Sequence, residues 1–417
     1  MAEKKISELT AKGAAVAATD LMVVSEVSGA SYVTKSVTGA NITALVTDAN
    51  LTTTDITTND VSTAKHGFAP KAPNDTAKFL RGDGTWAVPS AGGLTNFTEA
   101  ENTAAPNATV PVNSLTATGA ATNIDAAVLP KGTGAFVLDI PDNTSTGGNK
   151  RGANAVDLQM QRNSAASVAS GPYSFAAGSF NTASSNNSIS LGYTNICSGI
   201  YAVALGWQNT ISGSYASGAG YANTSSGNGT IALGSSNIAS GNFSFAAGSN
   251  NTANAVNSFA LGNQAHSFGI IGRLVYASGR EATNGDSQAS KFVLHERTTN
   301  DTATTITTNS GAAGTTNQVI LSNQSAYRFK GSIVGKQSGS VNAAVWDIDG
   351  FIVRGANAAA TTLNVSNVTL VENTPAWGTP TLAADTTNGG LQVQVIGAAA
   401  TNIQWTAVIE TTEVIYA

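Results

Sequence analysis

The chain has little from which a disulfide, a metal centre or a charged surface could be built. Its 417 residues include one cysteine and three histidines, and only 11% of them are charged, against about 25% in an ordinary globular protein. A single cysteine excludes an intrachain disulfide framework and a thiolate zinc cluster. The formal net charge of −5 argues against nucleic acid or an anionic membrane surface as a partner.

Long apolar runs are also missing. No stretch of about 18 apolar residues is present, so we expect no membrane insertion. Residues 1–9 lack the apolar core that a secretory signal needs. The chain is instead rich in Ala, Gly, Ser, Thr and Asn. Such a composition is typical either of a disordered chain or of a fibrous β-protein.

A fourteen-residue repeat decides between these two possibilities. Glycines recur at this interval without a break through seven units, which together span residues 172–269. Such regular internal periodicity predicts a stacked array and excludes disorder for this part of the chain. The marker glycines of the seven units are Gly178, Gly192, Gly206, Gly220, Gly234, Gly248 and Gly262.

Within each unit, apolar residues alternate with a period of two, which predicts a strand with one buried face. They lie three and one positions before the marker glycine, as Ile189 and Leu191 do. Thr or Ile four positions after the glycine suits a second, short strand. Each unit is then one coil of a parallel β-roll, and seven coils give a stack roughly 34 Å long. The fourth unit, with Ser217 and Ala219 in the apolar positions, should be a weak spot in the core.

Two columns of residues should shape the corners of the coils. The marker glycines are expected to hold a backbone conformation that is costly for other residues. Asparagines three positions later should stack as a ladder, each amide bonding the coils above and below. The ladder consists of Asn181, Asn195, Asn209, Asn223, Asn237 and Asn251, and it ends where Ala265 takes the place of asparagine in the last unit.

The absence of charge from the repeats predicts self-association. Between Arg162 and Arg273 there is no Asp, Glu, Lys or Arg. A coil of fourteen residues encloses almost no interior volume, so one chain alone would bury too little apolar surface to offset its ordering entropy. We therefore expect three such rolls to pack against each other as a homotrimer.

The repeats resemble the head repeats of trimeric autotransporter adhesins, whose pattern is close to S-x-A-L-G-x-x-N-x-A-S-G. The segments NSFALG at 257–262 and TIALGSSNIASG at 230–241 carry the resemblance. It covers about a quarter of the chain and implies a left-handed parallel β-roll that is trimeric about its long axis. The same module is also found in virus fibres, and a fold does not by itself give a function.

The flanking segments resemble those of tailed-bacteriophage fibre proteins. KISELT at 5–10 with TDLMVVS at 19–25 resembles the segment by which such fibres join other virion proteins, and residues 21–27 and 31–37 should form a hairpin there. FLRGDGTWA at 79–87 resembles a compact trimer-forming linker, in which residues 82–84 make a tight turn. NKRGANAVDLQMQR at 149–162 resembles a shaft cap, and its charges suit a solvated end.

The C-terminal part changes composition and alternates over longer strands. Strands are expected at 291–298, 302–308, 327–334, 343–353, 361–371, 391–396 and 402–414, with turns at 349–350 and 388–390. Many strands with polar turns predict an antiparallel β-sandwich of jelly-roll type. The whole chain is then an elongated all-β homotrimer. Its parts are an attachment segment (1–46), a trimerising linker (47–93), a small β shaft region with a cap (94–171), the roll (172–269), a transition (270–290) and a recognition domain (291–417).

Nothing in the sequence indicates catalysis. His66, His266 and His295 have no metal-ligand partner at the usual spacings, and His266 should be a capping residue of the last coil. Cys197 should be a small buried residue. Asp347 and Asp349 could hold calcium, but the rest of a calcium loop is missing. The roll has no carboxylates for glycoside hydrolysis. We expect no enzyme activity, cofactor or metal.

Receptor binding is the function that the phage-fibre resemblance implies. Trp377, near the apex of a predicted loop at 372–380, and Asn373 are the predicted contacts with a host glycan or protein, and Tyr193, Trp207 and Tyr221 form an alternative aromatic column. The prediction is a tail fibre on the outside of the virion that attaches it to a host surface. Two alternatives remain: a structural virion appendage, such as a head fibre, collar or baseplate element, and a bacterial trimeric adhesin.

Overall fold

The computed structural model of the chain describes residues 21–28, 31–38, 75–88, 97–102, 112–118, 123 and 127–416. The chain divides into two units, Met1–Ala127 and Val128–Ala417. His66 and the turn at 29–30 lie outside the described residues. Within the described part, no helix has the length and hydropathy needed to cross a bilayer.

The first unit contains three short antiparallel pairs among its described residues. The strands are β1 (Leu21–Ser28) with β2 (Ser31–Thr38), β3 (Phe79–Leu80) with β4 (Trp86–Ala87), and β5 (Phe97–Asn102) with β6 (Val112–Ala117). The predicted strands at 21–27 and 31–37 are therefore present. Between β3 and β4, Asp83 accepts hydrogen bonds from the backbone N–H and the hydroxyl of Thr85, so the Arg-Gly-Asp sequence belongs to a tight turn.

The second unit begins with a β-solenoid of about seven turns. In chain order its strands are β7 (Phe136–Val137), β8 (Val156–Gln159), β9 (Phe175–Ser179), β10 (Thr182–Ala183), β11 (Ile189–Tyr193), β12 (Ile196–Cys197), β13 (Val203–Trp207), β14 (Thr210–Ile211), β15 (Ser217–Tyr221), β16 (Thr224–Ser225), β17 (Ile231–Ser235), β18 (Ile238–Ala239), β19 (Phe245–Ser249), β20 (Thr252–Ala253), β21 (Phe259–Asn263) and β22 (Leu274–Ala277). Long and short strands alternate from β9 to β21, and each pairs in parallel with the equivalent strand of the next coil. The period-two alternation thus predicted the long strand of each coil, and the Thr or Ile four positions after the marker glycine predicted the short one.

The face of the long strands that points into the roll is not the predicted one. The interior holds the residue two positions before each marker glycine, such as Ala204 and Ala232, both 0% exposed. The larger residues on either side point outward, and Leu205 and Leu233 are 38% and 37% exposed. A fourteen-residue coil has room inside only for side chains the size of a methyl or hydroxyl group, so the bulky apolar side chains form an outer surface.

The fourth coil departs from the pattern for a packing reason. Ile211 is the largest side chain inside the repeats and is 0% exposed. A Cβ at Gly218, the interior position of the next long strand, would lie 2.3 Å from Ile211 Cδ1. Glycine therefore makes room for isoleucine there. Ser217 and Ala219 lie on the outer surface, so the predicted weak spot is not in the interior.

Charges at the start of the roll are buried, contrary to the prediction of a solvated cap. Asp157 is 0% exposed, and Arg151 and Arg162 are 5% and 7% exposed. Arg151 Nε lies 2.6 Å from Asp157 Oδ2, and Arg162 Nη2 lies 3.7 Å from the same oxygen. Because β8 pairs in parallel with β9, this segment is itself a coil of the roll. Burial of its charges requires the pairing that is observed.

The C-terminal strands continue the sheet of the roll. They are β23 (Ser287–Thr298), β24 (Ala303–Thr305), β25 (Val319–Ile320), β26 (Ser325–Gln337), β27 (Ala343–Arg354), β28 (Thr361–Asn373), β29 (Gly378–Asp385), β30 (Gly390–Ile396) and β31 (Ile403–Ile415), with a 3₁₀ turn at Ala358–Ala360. One 15-stranded sheet runs β28-β27-β26-β31-β23-β22 and on through the long strands to β7. Strands β24, β25, β29 and β30 form a separate four-stranded sheet.

One hydrophobic core is shared by these two C-terminal sheets. It takes alternate residues of β23, β26, β27, β30 and β31, including Ile403, Trp405, Ala407 and Ile409 of β31, all 0% exposed. The turn predicted at 349–350 is wrong, because β27 runs straight through it. A Cβ at Gly350 would lie 2.4 Å from Phe329 Cζ, so this glycine admits an aromatic ring from the neighbouring strand.

Candidate ligand-binding surface

Trp377 does not lie at an exposed loop apex. It is 6% exposed and packs edge-on against Trp405, with ring centroids 5.6 Å apart. The Asn373 side chain accepts a hydrogen bond from the Trp377 backbone N–H at 2.9 Å and donates one to its carbonyl at 2.8 Å. The predicted placement of this pair is therefore wrong, and a tryptophan in the core cannot stack on a glycan. Its low exposure follows from β29, which begins at Gly378 where the sequence indicated a loop.

The asparagines of the repeats form a continuous hydrogen-bonded column. Asn209 Nδ2 donates to Asn195 Oδ1 at 2.9 Å, to the Leu205 carbonyl at 2.9 Å and to the Gly220 carbonyl at 3.0 Å. Asn209 Oδ1 in turn accepts from the Asn223 backbone N–H at 3.0 Å. The column starts one coil earlier than the sequence indicated, because Gln159 accepts from the Asn181 N–H at 2.6 Å.

The marker glycines stand where two coils approach closely. Their φ angles lie between +94° and +118°, a range that L-residues rarely adopt. A Cβ on Gly206 would also lie 2.3 Å from the carbonyl oxygen of Gly220. Glycine is thus required here by the conformation and by the spacing of the coils together.

None of the predicted minor candidates forms a metal site among the described residues, where no three His, Cys, Asp or Glu side chains gather. Asp349 pairs with Arg328 at 2.7 Å. His266 extends the short-strand column by a parallel bridge to Thr252, and its Nδ1 accepts from the Phe268 N–H at 2.8 Å. Cys197 is buried, and burial raises the pKa of its thiol to about 11.

The outward face of the C-terminal sheet differs sharply from that of the roll. One row of residues crosses four neighbouring strands in register, in the order Lys291, Glu410, Lys330 and Asp349. Glu410 lies 3.9 Å from the Lys291 amine and 3.5 Å from that of Lys330. These side chains are about half exposed or more, so the pairs contribute little to stability. They remain available to a ligand.

A cavity of about 450 Å³ opens on this face beside β22. Its lining combines an exposed aromatic ring, three cationic side chains, one carboxylate and the exposed Thr412, while Ser290 and Thr411, also in the lining, are buried. Tyr276, 57% exposed, supplies the ring. Aromatic rings beside polar groups suit a sugar ligand, because a ring presents an apolar face while polar groups bond hydroxyls. The polar lining residues that form this candidate site are Lys291, Arg328, Lys330, Glu410 and Thr412.

Both carboxylates of this surface lie beside cations. Asp349 is paired with Arg328 at 2.7 Å and Glu410 with Lys330 at 3.5 Å. The sequence had not indicated this surface. The available signal was the alternation of Arg328 and Lys330 on one strand, with Lys291 and Glu410 on two strands that are distant in the sequence.

Comparisons with known proteins give structural matches only. No family model matches the chain, and no curated protein matches it. Among solved structures it is similar to tailspike proteins of three Acinetobacter phages, at 10% sequence identity in each case. The tailspike of the Acinetobacter baumannii bacteriophage Fri1, a capsular polysaccharide depolymerase, is matched over 62% of this chain and 44% of that chain, with a TM-score of 0.20.

The other two matches are equally distant. The tailspike of Acinetobacter baumannii phage AM24 is matched over 62% of this chain and 61% of that chain, with a TM-score of 0.18. That of Acinetobacter phage vB_ApiP_P1 is matched over 68% and 56%, with a TM-score of 0.21. The chain thus spans about half the length of the structures it matches. Such a likeness identifies no functional residue, although the names agree with the predicted place on the outside of a virion.

One prediction is corrected by these names. The sequence led us to expect no enzyme activity, whereas one of the matched tailspikes is a depolymerase, which is an enzyme. The assignment as a non-enzyme is therefore withdrawn.

Proposed function

We propose that this chain is a phage tail appendage that binds a polysaccharide of the bacterial surface. The observation that carries the proposal is the change along one face of the 15-stranded sheet. That face is apolar over the coils and becomes charged and hydroxyl-bearing at β23, β26 and β31. The apolar part suits contact with other copies of the chain. The polar part, with the cavity at Tyr276, suits a hydrated ligand.

The finer assignments belong to the same proposal. Three copies pack through the outward apolar side chains of the coils, and residues 1–46 attach the assembly to other virion proteins. The C-terminal sheets form the recognition domain in place of the predicted Trp377 loop. Three cations against one carboxylate in the cavity lining favour a polysaccharide with acidic sugars.

Binding of the purified full-length chain to a panel of encapsulated bacteria and to their isolated capsules tests the proposal. Substitutions Tyr276→Ala and Lys330→Gln are expected to weaken binding at least tenfold, which corresponds to about 1.4 kcal/mol. Lys336→Gln is the matched control, since Lys336 lies on the same strand but outside this cavity. Retained binding in the first two variants would contradict the site. The same incubations are assayed for new reducing ends, which would reveal cleavage.

A further inference from the structure

A second exposed aromatic column lies on the roll, at the corner that precedes each long strand. One residue per coil there has a positive φ, between +55° and +63°. In chain order these residues are Tyr173, Asn187, Tyr201, Tyr215, Gly229, Phe243 and Asn257. The corner is distinct from the one that carries the marker glycines. It is also distinct from the cavity at Tyr276.

The aromatic members of this column carry a backbone cost. The left-handed conformation is tolerated by glycine and asparagine, whereas it is strained for a bulky residue. Asn187, Gly229 and Asn257 therefore suit their positions. Tyrosine or phenylalanine occupies the same position in four coils. Such a cost persists when something other than the local backbone requires the side chain.

Packing within the chain does not explain why aromatic side chains occupy these positions, because the side chains are exposed. Tyr173, Tyr201, Tyr215 and Phe243 are 61%, 52%, 67% and 63% exposed. Tyr201 and Tyr215 stack with ring centroids 5.3 Å apart and planes 11° from parallel. The ring of Phe243 covers Gly229, where a Cβ would lie 2.8 Å from it. Tyr201 and Tyr215 thus form a stacked pair on the outside of the roll, and the coils of Asn187 and Gly229 separate Tyr173 and Phe243 from that pair.

The surroundings of this column are polar and uncharged. Exposed amides of Asn228 and Asn242 flank it, and Asn242 Oδ1 accepts from the Asn228 N–H at 3.0 Å. No Asp, Glu, Lys or Arg occurs between Arg162 and Arg273. A charged partner would therefore find no counter-charge. A second copy of the chain would pack better on a different face of the roll, where apolar side chains point outward from the long strands.

We propose that this corner, which we call the tyrosine ladder (Tyr173, Tyr201, Tyr215 and Phe243), binds an uncharged saccharide chain running along the stacked coils. The rings pack against the apolar faces of the sugars, and the tyrosine hydroxyls and asparagine amides bond sugar hydroxyls. Each coil advances by about 4.8 Å, so a chain laid along the stack meets equivalent groups repeatedly. The site stands independently of the charged cavity.

The roll itself supplies the substitution that tests this site. The double variant Tyr201→Asn/Tyr215→Asn places at two coils the residue that Asn187 and Asn257 already provide. We expect an unchanged or higher thermal midpoint, an unchanged solution mass and at least a tenfold loss of affinity for a neutral polysaccharide. The probes are dextran, mannan and galactan, with polygalacturonate as the acidic comparison, in affinity electrophoresis. The matched control is Tyr193→Asn/Tyr221→Asn, two exposed tyrosines of the other column.

Three results would overturn the proposal. The first is that the unsubstituted protein is retarded by none of the three neutral polysaccharides. The second is that Tyr201→Asn/Tyr215→Asn lowers the midpoint or the solution mass, since that would show packing between subunits. Equal loss of affinity in the control pair would move the site to the other corner and would also contradict it.

Discussion

Arg273 and Glu413, 140 residues apart in the sequence, form an ion pair with both side chains 0% exposed. Arg273 precedes β22, the last strand of the roll, and Glu413 lies in β31, near the end of the chain. Gln288 Nε2 donates to the same carboxylate oxygen at 2.9 Å, and Phe292 lies under the guanidinium with its centroid at 5.3 Å. This ion pair therefore links the last coil of the roll to the C-terminal strands.

Removing one member of this pair should be strongly destabilising. Glu413→Gln leaves the Arg273 charge buried without a counter-ion, and we expect a loss of about 3–5 kcal/mol in the free energy of unfolding. The measurement is denaturant unfolding of the full chain. Glu410→Gln breaks exposed pairs and should cost less than about 1 kcal/mol. Similar losses in the two variants would show that burial does not govern the contribution of Glu413.

Stability should fall in mild acid because of His266. Burial, together with the nearby Arg273 charge, lowers the pKa of His266 to about 4, below the value of about 6.5 for an unfolded chain. The unfolded state therefore binds the proton first. The contribution is fully present above pH 6.5 and is lost as the pH falls towards 4. Thermal midpoints measured across this range should decline.

Substitution of His266 tests whether this residue causes the decline in stability. His266→Gln is expected to flatten the decline between pH 6.5 and 4, while His295→Gln, at a surface position beside Ser310, should leave it unchanged. A decline of the same slope in His266→Gln would assign the effect to other groups.

The asparagine column should be a major source of stability for the roll. Asn209→Ala removes three hydrogen bonds donated by its side chain and leaves the buried N–H of Asn223 without its acceptor. We expect a loss of about 2–4 kcal/mol. Asn186→Ala, at an exposed position, should change the free energy of unfolding by less than about 0.5 kcal/mol. Equal losses in the two variants would mean that the asparagine column contributes no more to the free energy of unfolding than an exposed asparagine does.

Self-association should depend on one face of the roll. Leu205→Asp places a carboxylate among the outward apolar side chains of the long strands, and it should shift the solution mass from trimer to monomer. Thr210→Asp adds the same charge to an exposed position of the short strands in the same coil. It should leave the mass unchanged. Sedimentation equilibrium distinguishes these outcomes, and a trimeric Leu205→Asp variant would exclude this face as the contact.

Local patterns predicted the elements better than they predicted burial. The alternation around each marker glycine located every long strand of the repeats, but the bulkiest residues were assigned to the interior. The interior position of the long strands holds only Ala, Ser or Gly, and volume rather than hydrophobicity decides which face turns inward. The buried charges near Arg151 were missed for a similar reason, since their partners come together only when the coil closes.

The C-terminal errors also arise from tertiary contacts. Asp349-Gly350 resembles a turn locally, yet Gly350 admits the Phe329 ring from the neighbouring strand. Trp377 follows a turn-like Asn-Thr-Pro-Ala sequence, but its ring completes a core with Trp405. The row from Lys291 to Asp349 joins strands whose pairing order the sequence does not reveal.

The register of the roll has a consequence for how this protein can vary. The long strands of the seven repeats pair at an offset of fourteen residues, from Phe175 with Ile189 to Phe245 with Phe259. Excision of residues 228–241 would therefore join Gly227 to Asn242, a junction between equivalent corners. It preserves the phase of the glycine and asparagine columns and keeps Gly218 beside Ile211. The length of the roll can therefore change in steps of about 4.8 Å when the gene gains or loses a whole repeat. The segments at its two ends need not change.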